Sequence, residues 1–145
     1  MTVRASEELR QGWYTTVGGP SVKFISEGLY EPTLERIAIY REGQELLVDL
    51  LESFKETYVF STPSIAPSGI SLPCYEHWSG KRYWGVGRGT YLPTGDDLMV
   101  YRAMYCDERY WARPYNVFFE KVPDKEGKIV PRFKRLKDEP IVLKD

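Results

Sequence analysis

Leu98 to Phe118 reads L-M-V-Y-R-A-M-Y-C-D-E-R-Y-W-A-R-P-Y-N-V-F. Leu98 to Tyr105 is rich in strand formers, and polar Cys106 to Glu108 interrupts it. A second apolar run at Tyr110 to Ala112 completes the pattern of a hairpin. Pro114 cannot donate a ladder hydrogen bond and holds Arg113 extended, so the second strand ends there and Tyr115 to Phe118 makes one short helical turn. Residues two apart in a strand share a face. That rule sets Trp111 with Arg113, Tyr101 with Ala103 and Tyr105, and Arg102 with Val100 and Met104.

Upstream, part of the stretch is written twice. Gly28 to Arg41, G-L-Y-E-P-T-L-E-R-I-A-I-Y-R, aligns with Gly89 to Arg102, G-T-Y-L-P-T-G-D-D-L-M-V-Y-R, at a constant offset of 61 with six of fourteen positions identical. Unrelated segments would share about one, so the reading is a degenerate tandem duplication. Tyr14 and Gly19 fall on Tyr75 and Gly80 at the same offset. A gap of three residues then places Leu47 to Phe54 on Trp111 to Phe118.

The predicted fold is therefore mainly β with a minor helical part. It consists of two small, SH3-like or barrel-like β lobes packed side by side, each with a short helical turn. Residues 1–11 form an arm, in which S-E-E-L-R is a candidate capped turn, and residues 12–61 are the degenerate repeat. Residues 62–73, rich in Pro and Ser, are the linker and 74–145 the second β domain. Residues 45–58 carry two conflicting signals. Leu46, Leu47, Leu50, Leu51, Phe54 and Tyr58 have helical spacing, whereas the repeat demands a strand followed by a turn; a helix starting near Asp49 reconciles them. Gly85, Gly87 and Gly89 belong to a twisted, bulged strand and open no phosphate-binding helix. Lys121 to Leu136 reads as strand, D-K-E-G-K turn and strand, with an edge strand or tail after it.

Composition narrows the function. With 42% hydrophobic residues the chain can build a core, and a net charge of −1 supplies no global field for duplex DNA. No run approaches the roughly 18 apolar residues of a membrane helix, and the N-terminus lacks a signal-peptide core, so a cytoplasmic protein is expected. Cys74, Cys106 and the single His77 make no usual zinc set, and no cofactor is expected. Cys74 and His77 are three apart in a strand and so lie on opposite faces, which argues against a catalytic dyad. Asp96-Asp97 reads as a solvated turn. Without a nucleophile and base, a carboxylate pair in a pocket or a metal set, the expectation is a non-enzymatic protein.

The second half resembles a small bacterial family known as domain of unknown function 1653. The resemblance rests on Tyr75, His77, Gly80 and Tyr83, then V-Y-R-A-M-Y from Val100, W-A-R-P from Trp111, Phe118, and G-K-I-V-P-R-F from Gly127. It covers Cys74 to about Leu136 and implies a compact, mostly β domain without an established activity. Here the Gly-rich loop before Pro93 is unusual, and in the first half Leu47, Asp49 and Leu50 replace Trp111, Arg113 and Pro114.

Tyr, Trp and Arg dominate recognition sites, and guanidinium groups stacked on aromatic rings suit planar anions. Tyr83, Trp84, Tyr101, Arg102, Tyr105, Trp111 and Arg113 are therefore the candidate ligand-binding residues, with Arg102 and Arg113 converging if both reach one sheet face. The expected ligand is nucleotide-like; a protein partner on the same aromatic surface is the alternative, and an oligomer is compatible with both. The competing reading makes Tyr101, Tyr105 and Trp111 core residues, with the arginines lying over them.

Overall fold

The computed structural model describes residues 9–16, 19–63, 71–106, 108–136 and 139–140. Among them strand accounts for 59% and helix for 9%, so the chain is mainly β as expected. The first half contains β1 (Gly12–Thr15), β2 (Val22–Tyr30), β3 (Glu35–Glu42), β4 (Glu45–Leu50), α1 (Leu51–Thr57) and β5 (Val59–Pro63). The second contains β6 (Ser71–Leu72), β7 (Cys74–His77), β8 (Arg82–Tyr91), β9 (Asp96–Ala103), β10 (Tyr110–Pro114) and α2 (Tyr115–Phe118). It continues with β11 (Lys121–Pro123), β12 (Ile129–Pro131), β13 (Phe133–Arg135) and β14 (Glu139–Pro140). No helix among these residues is long and apolar enough to cross a membrane.

Two antiparallel meanders, β2-β3-β4 and β8-β9-β10, close on each other through parallel seams. β4 joins β8 at Leu47↔Thr90 and Val48↔Tyr91, and β10 joins β2 at Trp111↔Leu29 and Ala112↔Tyr30. The result is a closed six-stranded barrel. Its interior is shared: Ile37, Ile39 and Val48 from the first half meet Tyr91, Leu98, Val100 and Ala112 from the second. Each half also keeps an outer cluster. Tyr14, Phe24, Tyr40 and Phe54 pack outside the first meander, and Tyr75, Tyr83, Tyr101, Phe118 and Phe133 outside the second. Two lobes side by side are thus replaced by one barrel built from both halves. A lone meander would leave its inner apolar row uncovered and two strand edges unpaired, and closure removes both problems.

Strand registers recur between the halves. Gly28↔Ile37 and Tyr30↔Glu35 correspond to Gly89↔Leu98 and Tyr91↔Asp96, and the register shift at Phe24/Ser26 returns at Gly85/Gly87. Tyr40 lies between Phe24 and Leu47 as Tyr101 lies between Gly85 and Trp111. The shared G-x-Y-x-P-T text now has a physical explanation. Gly28 and Gly89 sit at the seams, where an added Cβ would lie 2.7 Å from the Tyr110 carbonyl oxygen and 3.1 Å from that of Leu46. Tyr30 and Tyr91 stack on one another, and the Thr33 and Thr94 hydroxyls bond Glu35 and Asp96 across the turns.

The ambiguous segment 45–58 is strand to Leu50 and helix from Leu51, two residues later than expected. The Asp49 carboxylate accepts the Leu50 N–H at 2.8 Å. Tyr115–Phe118 forms the helical turn expected after Pro114. The linker's described ends are strand: β5 runs to Pro63 and pairs with β1, and β6 pairs with β14 at the chain's end. The D-K-E-G-K turn connects β11 and β12. The S-E-E-L-R turn falls mostly outside the described residues, as do the centre of the linker and the last five residues.

Candidate functional site

The seven candidate residues divide between two faces of β8-β9-β10. Arg102 on β9 stands directly opposite Trp84 on β8 and Tyr110 on β10, so the three form one row across the sheet. Strand alternation puts this row on the barrel side with Val100, at the end away from Tyr91. The Arg102 guanidinium carbon is 5.8 Å from the Trp84 ring centroid and 5.0 Å from that of Tyr110, within cation–π range of both. Its Nε–H donates to the Glu108 carbonyl at 3.1 Å, and the Glu108 carboxylate is 3.8 Å from Nη2. The Arg102 side chain is 24% exposed and so reaches solvent. Burial raises the Tyr110 hydroxyl pKa, against the opposing pull of Arg102, and keeps the phenol neutral.

Trp84 is 8% exposed, and its indole Nε1–H is buried without a hydrogen-bond partner among the described residues. A buried donor left unsatisfied costs about 1 to 3 kcal/mol, which makes it the exception in need of explanation here. The corresponding row of the first half is Lys23, Arg41 and Leu46. That row holds cations and no aromatic ring.

Tyr83, Tyr101, Tyr105, Trp111 and Arg113 belong to the opposite face. Tyr83 meets Tyr101 edge-on at 5.2 Å and bonds the Tyr105 hydroxyl at 2.7 Å. Phe118 and Phe133 stack at 4.0 Å beneath them. Trp111 and Tyr105 pack at the margin of this cluster. Arg113 donates to the Tyr101 hydroxyl at 3.3 Å, lies 3.5 Å from the Glu31 carboxylate and covers the Phe133 ring. Only 13% of its side chain is exposed. Burial pushes the Tyr83 hydroxyl up and that of Tyr101 up to about 12, as expected for phenols inside a core.

Convergence of the two arginines is therefore a correction. Arg102 is opposite Tyr110 and Arg113 opposite Met99, so their side chains leave the sheet on different faces. Tyr83 and Trp84, adjacent in one strand, are separated for the same reason. Tyr110 and Glu108 complete the Arg102 group; Tyr110 could have been found by taking the residue two before Ala112. Glu31 had no local signal, because the barrel seam brings it to Arg113.

A cleft of about 550 Å³ opens beside β2, with Glu27, Arg36 and Arg109 in its wall. Glu27 pairs with Arg36 at 2.5 Å. Cys74 is buried in β7, Cys106 is exposed beyond β9, and the two form no disulfide with each other. His77 Nδ1 lies 2.8 Å from the Ser79 hydroxyl.

The second half carries an aromatic core, a Pro-terminated strand and a capping hairpin in one continuous segment. Residues 73–135 match the family of proteins of unknown function DUF1653. This DUF1653-like segment spans β7 to β13 and includes three of the six barrel strands, β8, β9 and β10. No curated protein and no solved structure matches the chain.

Proposed function

We propose that the chain is a non-enzymatic, cytoplasmic binding protein whose site is the row Trp84, Arg102 and Tyr110, and whose ligand is a small planar anion of nucleotide type. The observation that carries this reading is the indole N–H of Trp84, unpartnered among the described residues, beside a partly exposed guanidinium between two aromatic rings. An anionic group would displace the Glu108 carboxylate from Arg102, a planar ring would stack on an aromatic wall, and a ligand acceptor would satisfy the indole. In the same proposal the first half is a degenerate copy of the second that keeps its scaffold and has lost the aromatic walls, with Lys23 and Leu46 in the places of Trp84 and Tyr110.

Calorimetric titration of a nucleotide panel tests it. Arg102→Gln should weaken binding tenfold to hundredfold, the equivalent of losing a charge-assisted hydrogen bond of about 1.5 to 3 kcal/mol, whereas Lys23→Ala should leave affinity unchanged. A panel in which nothing binds the parent protein overturns the ligand class. A second reading, a protein partner, rests on β5, which pairs only with β1 among the described strands and exposes Val59 by 67% and Phe60 by 36%. An apolar edge of that kind accepts an added strand.

A further inference from the structure

The DUF1653-like segment cannot close a barrel by itself. It has three barrel strands, an inner row of Tyr91, Leu98, Val100 and Ala112, and two stretches of edge that the first half completes, β10 and the Thr90–Tyr91 end of β8, whose other end is paired by β7 of the same segment. We propose that the face of the second half now covered by the first is a self-complementary association surface, built to take another three-stranded unit of its own kind. The occupant the geometry assigns is a second copy of this segment, placed where β2-β3-β4 now lie.

The seams support the fit pair by pair. Trp111↔Leu29 and Ala112↔Tyr30 have the same spacing as Leu47↔Thr90 and Val48↔Tyr91. A second copy would set Trp111 against Thr90 and Ala112 against Tyr91 at both seams. Gly89 would meet the Tyr110 carbonyl where Gly28 now does, and an added Cβ there would lie 2.7 Å from the carbonyl oxygen. Tyr91 would stack on its own equivalent as it stacks on Tyr30. The turn contacts repeat as well: Glu31 N–H donates to the Ala112 carbonyl, and Leu92 N–H to the Val48 carbonyl, each at 2.8 Å.

One contact between the halves breaks the correspondence. Arg113 pairs with Glu31, and the equivalent positions hold Asp49 and Leu92. In a pair of second halves each Arg113, nearly buried, would face Leu92 and lose its carboxylate. Glu31 thus makes the first half the preferred partner, and a carboxylate at position 92 would remove that preference while adding repulsion toward Asp49.

The test starts from the full chain with a protease site introduced between residues 66 and 67, cleaved after folding, unfolded in urea, refolded and weighed by native mass spectrometry. The parent should refold as a one-to-one complex of its two fragments. Leu92→Glu should raise the proportion of second-fragment homodimer at least tenfold, the return of a charge-assisted pair on each side. Adding Gly89→Val to that variant should remove the homodimer, because its side chain would strike the Tyr110 carbonyl. A Leu92→Glu fragment that stays monomeric or unfolded overturns the proposal, and so does a homodimer that survives Gly89→Val.

Discussion

The ring of Tyr30 lies on the ring of Tyr91, with centroids 4.5 Å apart and planes 24° from parallel. Tyr30 ends β2 and Tyr91 ends β8, each two residues after the glycine that permits the seam. The stack therefore joins both meanders at one end of the shared interior. A double-mutant cycle on Tyr30→Ala and Tyr91→Ala should give a coupling of about 1 kcal/mol, the usual extra worth of an aromatic pair, from urea unfolding monitored by circular dichroism. Additive losses would mean that the rings contribute by burial alone.

Arg113 and Arg102 should separate stability from binding. Arg113→Ala removes a nearly buried guanidinium from Glu31, Tyr101 and the Phe133 face, and should lower unfolding free energy by about 2 to 4 kcal/mol. Arg102→Ala, at a partly exposed position, should cost less than half as much in the same denaturation assay and still abolish ligand binding.

His77 should make the fold sensitive to mild acid. Burial first, then the charges of Arg113, Arg132 and Lys81, hold its pKa below the usual 6.5. Its Nδ1 also accepts the Ser79 N–H at 3.2 Å, which requires the unprotonated nitrogen. The unfolded chain thus binds the proton more readily, so stability is complete above about pH 6.5 and falls as pH drops toward the folded-state value. Thermal melts of the parent between pH 7.5 and 5 should show that fall, and His77→Gln should flatten it.

Much of this was readable in the residues, and the limits have physical causes. Pro114 fixed the strand-to-helix change because a missing N–H acts locally. The G-x-Y-x-P-T text found in both halves marks two strand ends with similar local contacts, because a close approach, a stack and a turn each restrict residue type. The seams were not readable: Leu47 finds Thr90 and Leu29 finds Trp111 only when the barrel closes, and that pairing leaves no local pattern. For the site, alternation correctly grouped Tyr101 with Tyr105 and Trp111 with Arg113. It could not choose the hairpin register, and a slip of one residue exchanges the faces, which is why Arg102 and Arg113 part.

The Trp84 indole proton reports the central claim most directly. In a nitrogen–proton correlation spectrum, with the Trp84 signal assigned by its loss in Trp84→Phe, titration of the tightest-binding nucleotide should move that resonance downfield as the N–H gains an acceptor, and Arg102→Gln should abolish the movement. A Trp84 signal that stays fixed while the ligand binds would contradict the site, because the donor left unpartnered beside Arg102 would then have no part in recognition.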